Sequence, residues 1–324
     1  MRGSPAGATR GSEARGLRQR PWWPWTRRVL VTAFLTLVAA LLWQQAQSIE
    51  WTKVARVLRG YPLSTLAFAA LFAAASHLLY TTFDLLGRRW TGHALPVATV
   101  MRVTFVSYAF NLNLGSLVGG VGFRFRLYGR LGLSEDEIAR VLGLSMATNW
   151  LGYGVLAGAL FALGVVSPPE EWRLSGLALR ALGGATLALA LGYVALCAFS
   201  NRRTFALRGY RFTLPVPRLA LLQLAVSVVN WMAIGAVIWV LLQDEAAYAQ
   251  VLGVLLVAAV AGVIAHVPAG LGVLEVVFIT LLAQVGEPRV LGALLAYRAI
   301  YYLAPLAIAL GLYAALEAKA RRGP

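Results

Sequence analysis

The sequence is poor in the residues that build metal sites, disulfides and charged surfaces. Only 13% of its 324 residues are charged, with 13 acidic side chains against 29 basic ones. The one cysteine, Cys197, lies in an apolar stretch, which excludes an intrachain disulfide and a cysteine metal cluster. The three histidines lack ligand spacing, so we expect no bound metal and no cofactor.

Catalytic motifs are also lacking. The sequence contains no nucleophile elbow, Walker loop or metal-spaced histidine pair. Gly119-Gly120-Val121-Gly122 is not a dinucleotide fingerprint, because no βαβ unit surrounds it. We therefore predict that the chain is not an enzyme and has no catalytic residues.

Apolar residues, by contrast, make up 59% of the chain, and its mean hydropathy of +0.70 exceeds that of soluble globular domains. A bilayer core of about 30 Å needs roughly 20 apolar residues per helix. Stretches that meet or approach this length are 29–49, 60–83, 103–123, 141–169, 181–200, 219–243, 246–274 and 299–316. The predicted fold is an all-α integral membrane protein, a multi-pass helical bundle with about eight membrane segments.

The basic residues are concentrated in short loops and tails, which the positive-inside rule explains without a nucleic-acid partner. Residues 1–28 are predicted to form a basic, disordered cytoplasmic tail. A single transmembrane domain would cover 29–317, and a second cytoplasmic tail 318–324. We expect a bacterial cytoplasmic (inner) membrane location with both termini in the cytoplasm. The segment 50–59 has an apolar stripe and is predicted to be an interfacial helix.

Simple alternation of spans conflicts with the charges, because Arg88-Arg89 and the Arg124, Arg126, Arg130 cluster would fall on opposite sides of one span. Two broken or re-entrant hairpins remove the conflict. The first, about 96–123, enters from the cytoplasm and returns there; the second, roughly 248–286, enters from outside and turns near 266–272. Either hairpin could cross fully or stop midway.

Glycine and proline mark the predicted turns of these hairpins. The turn residues are Gly119, Gly120 and Gly122 in the first hairpin and Pro268, Gly270 and Gly272 in the second. Backbone that is not helical at membrane depth must be buried within protein or line a water-filled cavity, because lipid offers its polar groups no hydrogen bonds. The alternative is that these small residues only permit close helix packing.

An internal repeat supports the two hairpins. The letters RVLG at 140–143 recur at 289–292, an offset of 149 residues, which gives repeat-like halves of about 96–166 and 248–316. Transporters with inverted repeats and broken helices place a binding site near the bilayer midplane. The predicted fold therefore includes an inverted repeat.

Polar residues at membrane depth are the candidate lipid-binding or translocation residues. They are Arg124, Arg126, Glu275, Arg298, Asn111 and Asn149. The guanidinium group of arginine can donate two parallel hydrogen bonds to a phosphodiester headgroup. Glu275 would hold an arginine in position or bind a cationic headgroup. The alternatives are that Glu275 and Arg298 neutralise each other, that Arg124 and Arg126 are interfacial anchors, and that the asparagines hydrogen-bond between helices.

At these residues the chain resembles the lysylphosphatidylglycerol synthase transmembrane region family, and within it the YbhN-type inner-membrane proteins. The resemblance rests on residues 80–86, 92–93, 107–112, 118–134, 148–153, 229–232, 261–275, 295–298 and 301–305. It covers about residues 25–317. The family's Pro-Gly-Gly-Leu-Gly-like turn reads Pro-Ala-Gly-Leu-Gly at 268–272.

This resemblance implies an integral membrane protein related to the domain that moves aminoacylated phosphatidylglycerol to the outer leaflet. The fusion proteins of the family carry an aminoacyltransferase domain after the membrane region, whereas this sequence ends at Pro324, so we expect no aminoacyl transfer.

The leading hypothesis is translocation of anionic or aminoacylated phospholipid, in a flippase or scramblase-like manner. A membrane scaffold or partner subunit of lipid-synthesis or lipid-modifying enzymes is the alternative. The expected partners are membrane phospholipid, lipid-synthesis enzymes and a second copy of the chain in a homo-oligomer.

Overall fold

A computed structural model describes residues 51–168, 175–207, 210–265 and 272–321, with scattered helical residues between 29 and 47. Residues 1–50 and 51–324 form separate compact units, and the fold described below is that of the second unit. The predicted basic tail and most of the first predicted span therefore lie outside the described residues. So do Pro268 and Gly270 of the second predicted turn.

The chain from 51 to 162 forms five α-helices. They are α1 (Trp51–Gly60), α2 (Leu63–Thr91), α3 (Val97–Leu114), α4 (Phe123–Arg130) and α5 (Glu135–Ala162), and a π-helical segment, Ser116–Gly122, joins α3 to α4. Gly92 ends α2 with a φ of 76°, a left-handed conformation that glycine adopts without strain. The α1 helix confirms the helix predicted for 50–59.

The start of α5 is capped. The Ser134 hydroxyl accepts a hydrogen bond from the Glu137 N–H at 3.3 Å, and the Glu137 carboxylate accepts one from the Ser134 N–H at 2.9 Å. This capping box satisfies two amide groups that the first helical turn leaves without partners. Hydrogen bonds from the Ser134 backbone and hydroxyl lower the pKa of the Glu137 carboxyl.

The described residues from 175 to 321 add a β-hairpin and six more α-helices. Helix α6 (Gly176–Phe199) is followed by β1 (Thr204–Leu207) and β2 (Tyr210–Thr213), then by α7 (Pro217–Leu241), α8 (Tyr248–Ala265), α9 (Val273–Leu281), a 3₁₀ turn (Ala283–Val285), α10 (Glu287–Tyr297) and α11 (Ala304–Arg321). A second π-helical segment, Arg298–Leu303, joins α10 to α11. The two short strands pair antiparallel.

Among the residues that the structure describes, five helical stretches are long and apolar enough to cross a membrane by length and composition, namely α2, α6, α7, α8 and the continuous stretch Glu287–Glu317. Helices α3 and α5 are not among them, because Arg102, Asn111 and Asn149 interrupt their apolar runs. The described residues thus confirm a multi-pass helical membrane fold, while the total of about eight segments stays a prediction.

Side-chain contacts define two ends of the bundle. At one end, Arg88 donates to the carbonyl of Leu95 between α2 and α3, and Arg130 pairs with Glu317 near the end of α11. We call this the Arg130 end. At the other, the Tyr61 hydroxyl before α2 donates to the carbonyl of Leu241 at the end of α7. Because Glu245, just beyond α7, pairs with Arg289 of α10, we call this the Glu245 end.

Both predicted hairpins reverse direction within the bundle. Helix α3 leaves the Arg130 end, the chain turns at Gly115 with a φ of 82°, and α4 runs back to the same end. Helix α8 starts at the Glu245 end, and α9 runs back to it, since the ion pair between Glu245 and Arg289 holds the start of α10 beside the start of α8. The hairpins therefore enter from opposite ends.

The order of elements also follows the predicted repeat. Shifted by 149 residues, α3 covers 246–263, which overlaps α8; α4 covers 272–279, which overlaps α9. The same shift places α5 at 284–311, over α10 and the first part of α11. The two halves thus share the order hairpin, return helix and long helix, and the boundaries of the repeat stay a prediction.

Candidate functional site

The first predicted arginine, Arg124, lies in a buried ion pair. Its Nε donates to Asp84 Oδ2 at 2.9 Å and its Nη2 to Asp84 Oδ1 at 3.1 Å, while Nη1 donates to the carbonyl of Gly120 at 3.2 Å. Both side chains are nearly inaccessible, at 2% for Arg124 and 0% for Asp84. Asp84 also accepts from the hydroxyl of Tyr128 at 3.0 Å. Two forked bonds and a third donor compensate much of the desolvation that burial imposes on both charges.

The second pair joins Glu275 and Arg298, the two residues predicted from the second half. Arg298 donates from Nε to Glu275 Oε1 at 2.8 Å and from Nη2 to Oε2 at 3.0 Å. The backbone N–H of Gly272 donates to Glu275 Oε2 at 3.0 Å, which ties the turn of the hairpin to the pair. Here the accessibility is 13% for Arg298 and 24% for Glu275, clearly more than in the first pair.

The sequence matches a known family over most of its length. Residues 29–309 match the family described as the lysylphosphatidylglycerol synthase TM region. The chain belongs to this family. Membership indicates a membrane protein involved in lipid handling.

Relatives of this family differ in how much of their length the chain covers. The chain is 44% identical to the inner membrane protein YbhN of Escherichia coli (strain K12) over 94% of this chain and 96% of that protein. It is 30% identical to the uncharacterized protein slr0712 of Synechocystis over 84% of this chain and 86% of that protein. Against the phosphatidylglycerol lysyltransferase of Bacillus subtilis (strain 168) the identity is 23%, covering 82% of this chain but 31% of that protein. These relatives fit a bacterial inner-membrane location.

Arg126, the second arginine of the cluster formed with Arg124 and Arg130, faces helix α11. It donates from Nε to the hydroxyl of Tyr313 and from Nη2 to Glu317 Oε1, each at 2.8 Å. Arg130 reaches the same carboxylate oxygen at 2.6 Å. These contacts fasten α4 to α11 at the Arg130 end, and Arg126 joins neither the Asp84–Arg124 pair nor the Glu275–Arg298 pair.

The predicted asparagines have different surroundings. Asn111 packs its side chain against Gly120, whose missing side chain makes room for it. The backbone carbonyl of Asn149 accepts hydrogen bonds from Ser227 and from the Trp231 indole, both at 3.1 Å. Asn149 therefore holds α5 against α7 through its main chain, and the role predicted for its side chain stays a prediction.

A chain of tyrosines lies between the two ion pairs. The Arg124 guanidinium lies 5.9 Å from the ring centroid of Tyr80, which stacks on Tyr108 at 3.6 Å. The hydroxyls of Tyr108 and Tyr301 are 2.9 Å apart, and Tyr301 stacks on Tyr297, the neighbour of Arg298. Aromatic and polar groups thus connect the two pairs through the interior of the bundle.

This chain of hydroxyls has a fixed direction. Ser76 donates to Asn230 Oδ1 at 2.8 Å, so its oxygen accepts from the Tyr301 hydroxyl at 2.7 Å. Tyr301 in turn accepts from Tyr108, because its own proton is already used. Donors that follow one another in this way polarise and strengthen each other in a buried setting.

Several of these residues were not predicted as site residues. Asp84 is the main residue that was missed: the predicted span 60–83 ends one residue before it, since a span predicted from an uncharged apolar stretch stops at the first charge. The sequence does contain a feature that points to Asp84. An acidic residue lies between the apolar Phe83 and Leu85, in a stretch that stays helical to residue 91. Tyr80, Tyr108 and Tyr301 fall within the segments that carry the resemblance but have no charge to draw attention.

The first glycine cluster is helical and tightly packed. Residues 116–122 form the π-helical segment, so the backbone breaks at Gly115 rather than at Gly119, Gly120 or Gly122. A Cβ on Gly119 would lie 2.2 Å from the backbone nitrogen of Asn111. The close-packing alternative thus applies to Gly119 and Gly120. In the second cluster Gly272 has a φ of 81° and precedes α9.

Replacing Gly119 by alanine should therefore destabilise the protein. The clash involves backbone atoms of α3, which no rotamer change relieves, and we expect a loss of at least ~2 kcal/mol in the free energy of unfolding. Unfolding by SDS titration in mixed micelles measures it. Gly143→Ala is the matched control, because its added Cβ meets open space in the middle of α5. Equal stability of the Gly119→Ala variant and the wild type would contradict this packing.

Proposed function

We propose that this protein translocates anionic phospholipid across the membrane without changing it chemically. The observation that carries the proposal is the Glu275–Arg298 pair, which is bidentate, lies at the turn of a hairpin, and keeps a quarter of the Glu275 side chain accessible. Ionisable groups at membrane depth cost several kcal/mol unless they are paired or hydrated, so their presence favours a role in moving charged groups.

The two ion pairs would have different roles in this mechanism. Asp84 and Arg124 are almost fully inaccessible, so they hold α2 against α4 and support the site. Glu275 and Arg298 are the pair that a headgroup can reach. A phosphate presents the same two-oxygen geometry to a guanidinium as a carboxylate does, so it can replace Glu275 as the partner of Arg298.

Family membership and the hairpins support the same proposal. The two hairpins enter from opposite ends of the bundle, as the broken segments of many transporters do. Basic residues gather at the Arg130 end, including Arg88, Arg89, Arg202 and Arg203. By the positive-inside rule we place this end in the cytoplasm, with the carboxyl terminus beside it.

A structural role is the second candidate, because both arginines of the pairs already have carboxylate partners. In that case the protein would act as a membrane scaffold or as a partner subunit of lipid-synthesis enzymes, and the pairs would only lock helices. Partner enzymes and a homo-oligomer belong to this candidate.

Leaflet exchange in liposomes tests the proposal. The purified full chain is reconstituted with acyl-labelled phosphatidylglycerol, which leaves the headgroup intact, and dithionite then bleaches label in the outer leaflet. We expect the protein to make the protected inner fraction accessible, and the Arg140→Gln variant, which removes an exposed ion pair with Asp136, to behave like the wild type. Folded protein that exchanges no lipid, with or without an ion gradient, would favour the scaffold.

A further inference from the structure

The two carboxylates of the buried ion pairs differ in how firmly they are held. Asp84 accepts two hydrogen bonds from Arg124 and one from a tyrosine hydroxyl, and its side chain has no accessible surface. Glu275 accepts two from Arg298 and one from the backbone N–H of Gly272, and 24% of its side chain is accessible. Glu275 can therefore change its partner and its protonation, whereas Asp84 is sealed between helices.

Arg298 binds Glu275 through one edge of its guanidinium group. Nε donates to Oε1 at 2.8 Å and Nη2 donates to Oε2 at 3.0 Å, and such an edge forms the same paired bonds with a phosphate. The inference below rests on the proposed function, in which a phosphate replaces Glu275 as the partner of Arg298. In that exchange Oε1 loses the Nε donor, while Oε2 keeps the N–H of Gly272.

The charge of the site decides what must accompany this exchange. Glu275 and Arg298 sum to zero while they are paired, and a phosphodiester anion brings one further negative charge. If Glu275 stayed ionised, a carboxylate without its arginine would lie beside a phosphate at membrane depth, where an unpaired charge is strongly unfavourable and like charges repel. A proton on Glu275 returns the sum to zero, and it turns one acceptor oxygen into an O–H donor.

Glu275 is the group best placed among the described residues to take this proton. The ionisable side chains on the elements that pack against α9 are Tyr248 of α8, Glu287, Arg289 and Tyr297 of α10, and Arg298, Tyr301 and Tyr302 of the π-helical segment. Arginine and tyrosine keep their protons at neutral pH. Glu287 lies in the first turn of α10, eleven residues before Arg298 and so roughly 16 Å away along the axis.

We propose that Glu275 is a proton-binding site, and that it takes up one proton each time a phosphodiester anion binds to Arg298. The O–H bond forms with a proton from the aqueous side where the lipid enters, and it breaks on the side where the lipid leaves. Lipid anion and proton thus cross as a neutral pair, and the empty site returns with Glu275 and Arg298 paired again. A proton gradient then drives the lipid toward the more alkaline side.

Calorimetric titration of the detergent-solubilised full chain measures the proton directly. The probe is dihexanoyl phosphatidylmethanol, a singly charged phosphodiester, and the titration is repeated at neutral pH in buffers that differ in ionisation enthalpy. The slope of the observed enthalpy against that ionisation enthalpy gives the number of protons taken up. We expect about one proton for the wild type, and an affinity that falls by about tenfold per pH unit wherever the free Glu275 is ionised.

Glu275→Gln separates this proton from any other. The amide is neutral at every pH, as a protonated carboxyl is, so this variant should bind the probe with about zero protons and with an affinity independent of pH. Glu287→Gln, which removes an exposed carboxylate, is the matched control and should retain the wild-type slope. A wild-type slope near zero, no binding of the probe at any pH, or an unchanged slope in Glu275→Gln would overturn the inference.

A pH gradient across liposomes tests the coupling during transport. Acyl-labelled phosphatidylmethanol is present as a tracer, and extraction by albumin gives its fraction in the outer leaflet. A gradient of one pH unit should enrich the tracer about tenfold in the leaflet that faces the alkaline side, because a neutral lipid–proton pair reaches equilibrium at that ratio. The exchange that Glu275→Gln retains should give no enrichment. These wild-type measurements decide the matter even if that variant fails to fold.

The two experiments together distinguish the inference from the proposed function. If binding takes up a proton but no lipid crosses the liposome membrane, proton binding at Glu275 stands and translocation fails. If lipid crosses while binding takes up no proton and the gradient causes no enrichment, translocation stands and Glu275 is not a proton-binding site.

Discussion

Asp84→Ala and Arg124→Ala should each destabilise the protein by ~3–5 kcal/mol, because each leaves one unpaired charge in a site that excludes water. The two side chains share two hydrogen bonds and are at most 2% exposed, so neither remaining charge can reach solvent without movement of α2 or α4. SDS titration in mixed micelles gives the change in unfolding free energy. A loss below ~1 kcal/mol in both variants would show that the pair is hydrated or unformed.

The double variant Asp84→Leu with Arg124→Met extends this prediction. Apolar residues of similar size can replace a buried pair at little cost, so we expect most of the stability to return. The exposed pair of Asp136 and Arg140 is the comparison, and its removal should cost ~0–1 kcal/mol. If the double variant is stable and still exchanges lipid at the wild-type rate, Asp84 and Arg124 support the fold alone.

The charges in the sequence were sufficient to predict the two hairpins. Arg88-Arg89 and Arg130 could share a side only if 96–123 returned to where it entered, and α3 and α4 do return. Asp244 and Glu245 were predicted to lie outside and the basic carboxyl tail inside, which fits a hairpin at 248–286 whose two ends share one side. The ion pair between Glu245 and Arg289 brings those two ends together. Net charge at the ends of segments is a local property, so it can be read from sequence without knowledge of packing.

The partners of each charge could not be predicted in the same way. Pairing of Glu275 with Arg298 was one of the alternatives that the sequence left open, and the two residues do pair. Arg124 was expected to bind a headgroup, yet its partner is Asp84, forty positions earlier, and Arg126 contacts Glu317 at the other end of the chain. Such pairings depend on the angles between packed helices, which the order of residues alone does not give.

The structure of the first glycine cluster could also be predicted only in part. Glycine at 115–122 correctly indicated a break in the helix, because a left-handed residue is needed where α3 ends. The sequence could not show that residues after Gly115 wind into a π-helix against Phe110 and Asn111, since that geometry comes from the packing of one segment on the other.

Changes at Glu275 and Arg298 should reduce lipid exchange more than they reduce stability. Glu275→Gln keeps an acceptor for the Gly272 N–H but removes the charge that orients Arg298, and Arg298→Lys keeps the charge but loses the fork. One lost charge-assisted hydrogen bond corresponds to about a 10- to 100-fold fall in rate where that bond is made in the transition state. Exchange rates in liposomes are compared with unfolding free energies of the same variants.

A swapped pair, Glu275→Arg with Arg298→Glu, decides whether the position of the positive charge matters. If the pair only neutralises itself and locks α9 to the π-helical segment Arg298–Leu303, the swap restores stability and exchange together. We expect stability to return in part and exchange to stay low, because the phosphate must meet an arginine on that segment, beside Tyr302, whose ring lies 6.0 Å from the guanidinium. Full exchange by the swapped variant would contradict a specific role for Arg298 and would leave charge neutrality as the requirement at this site.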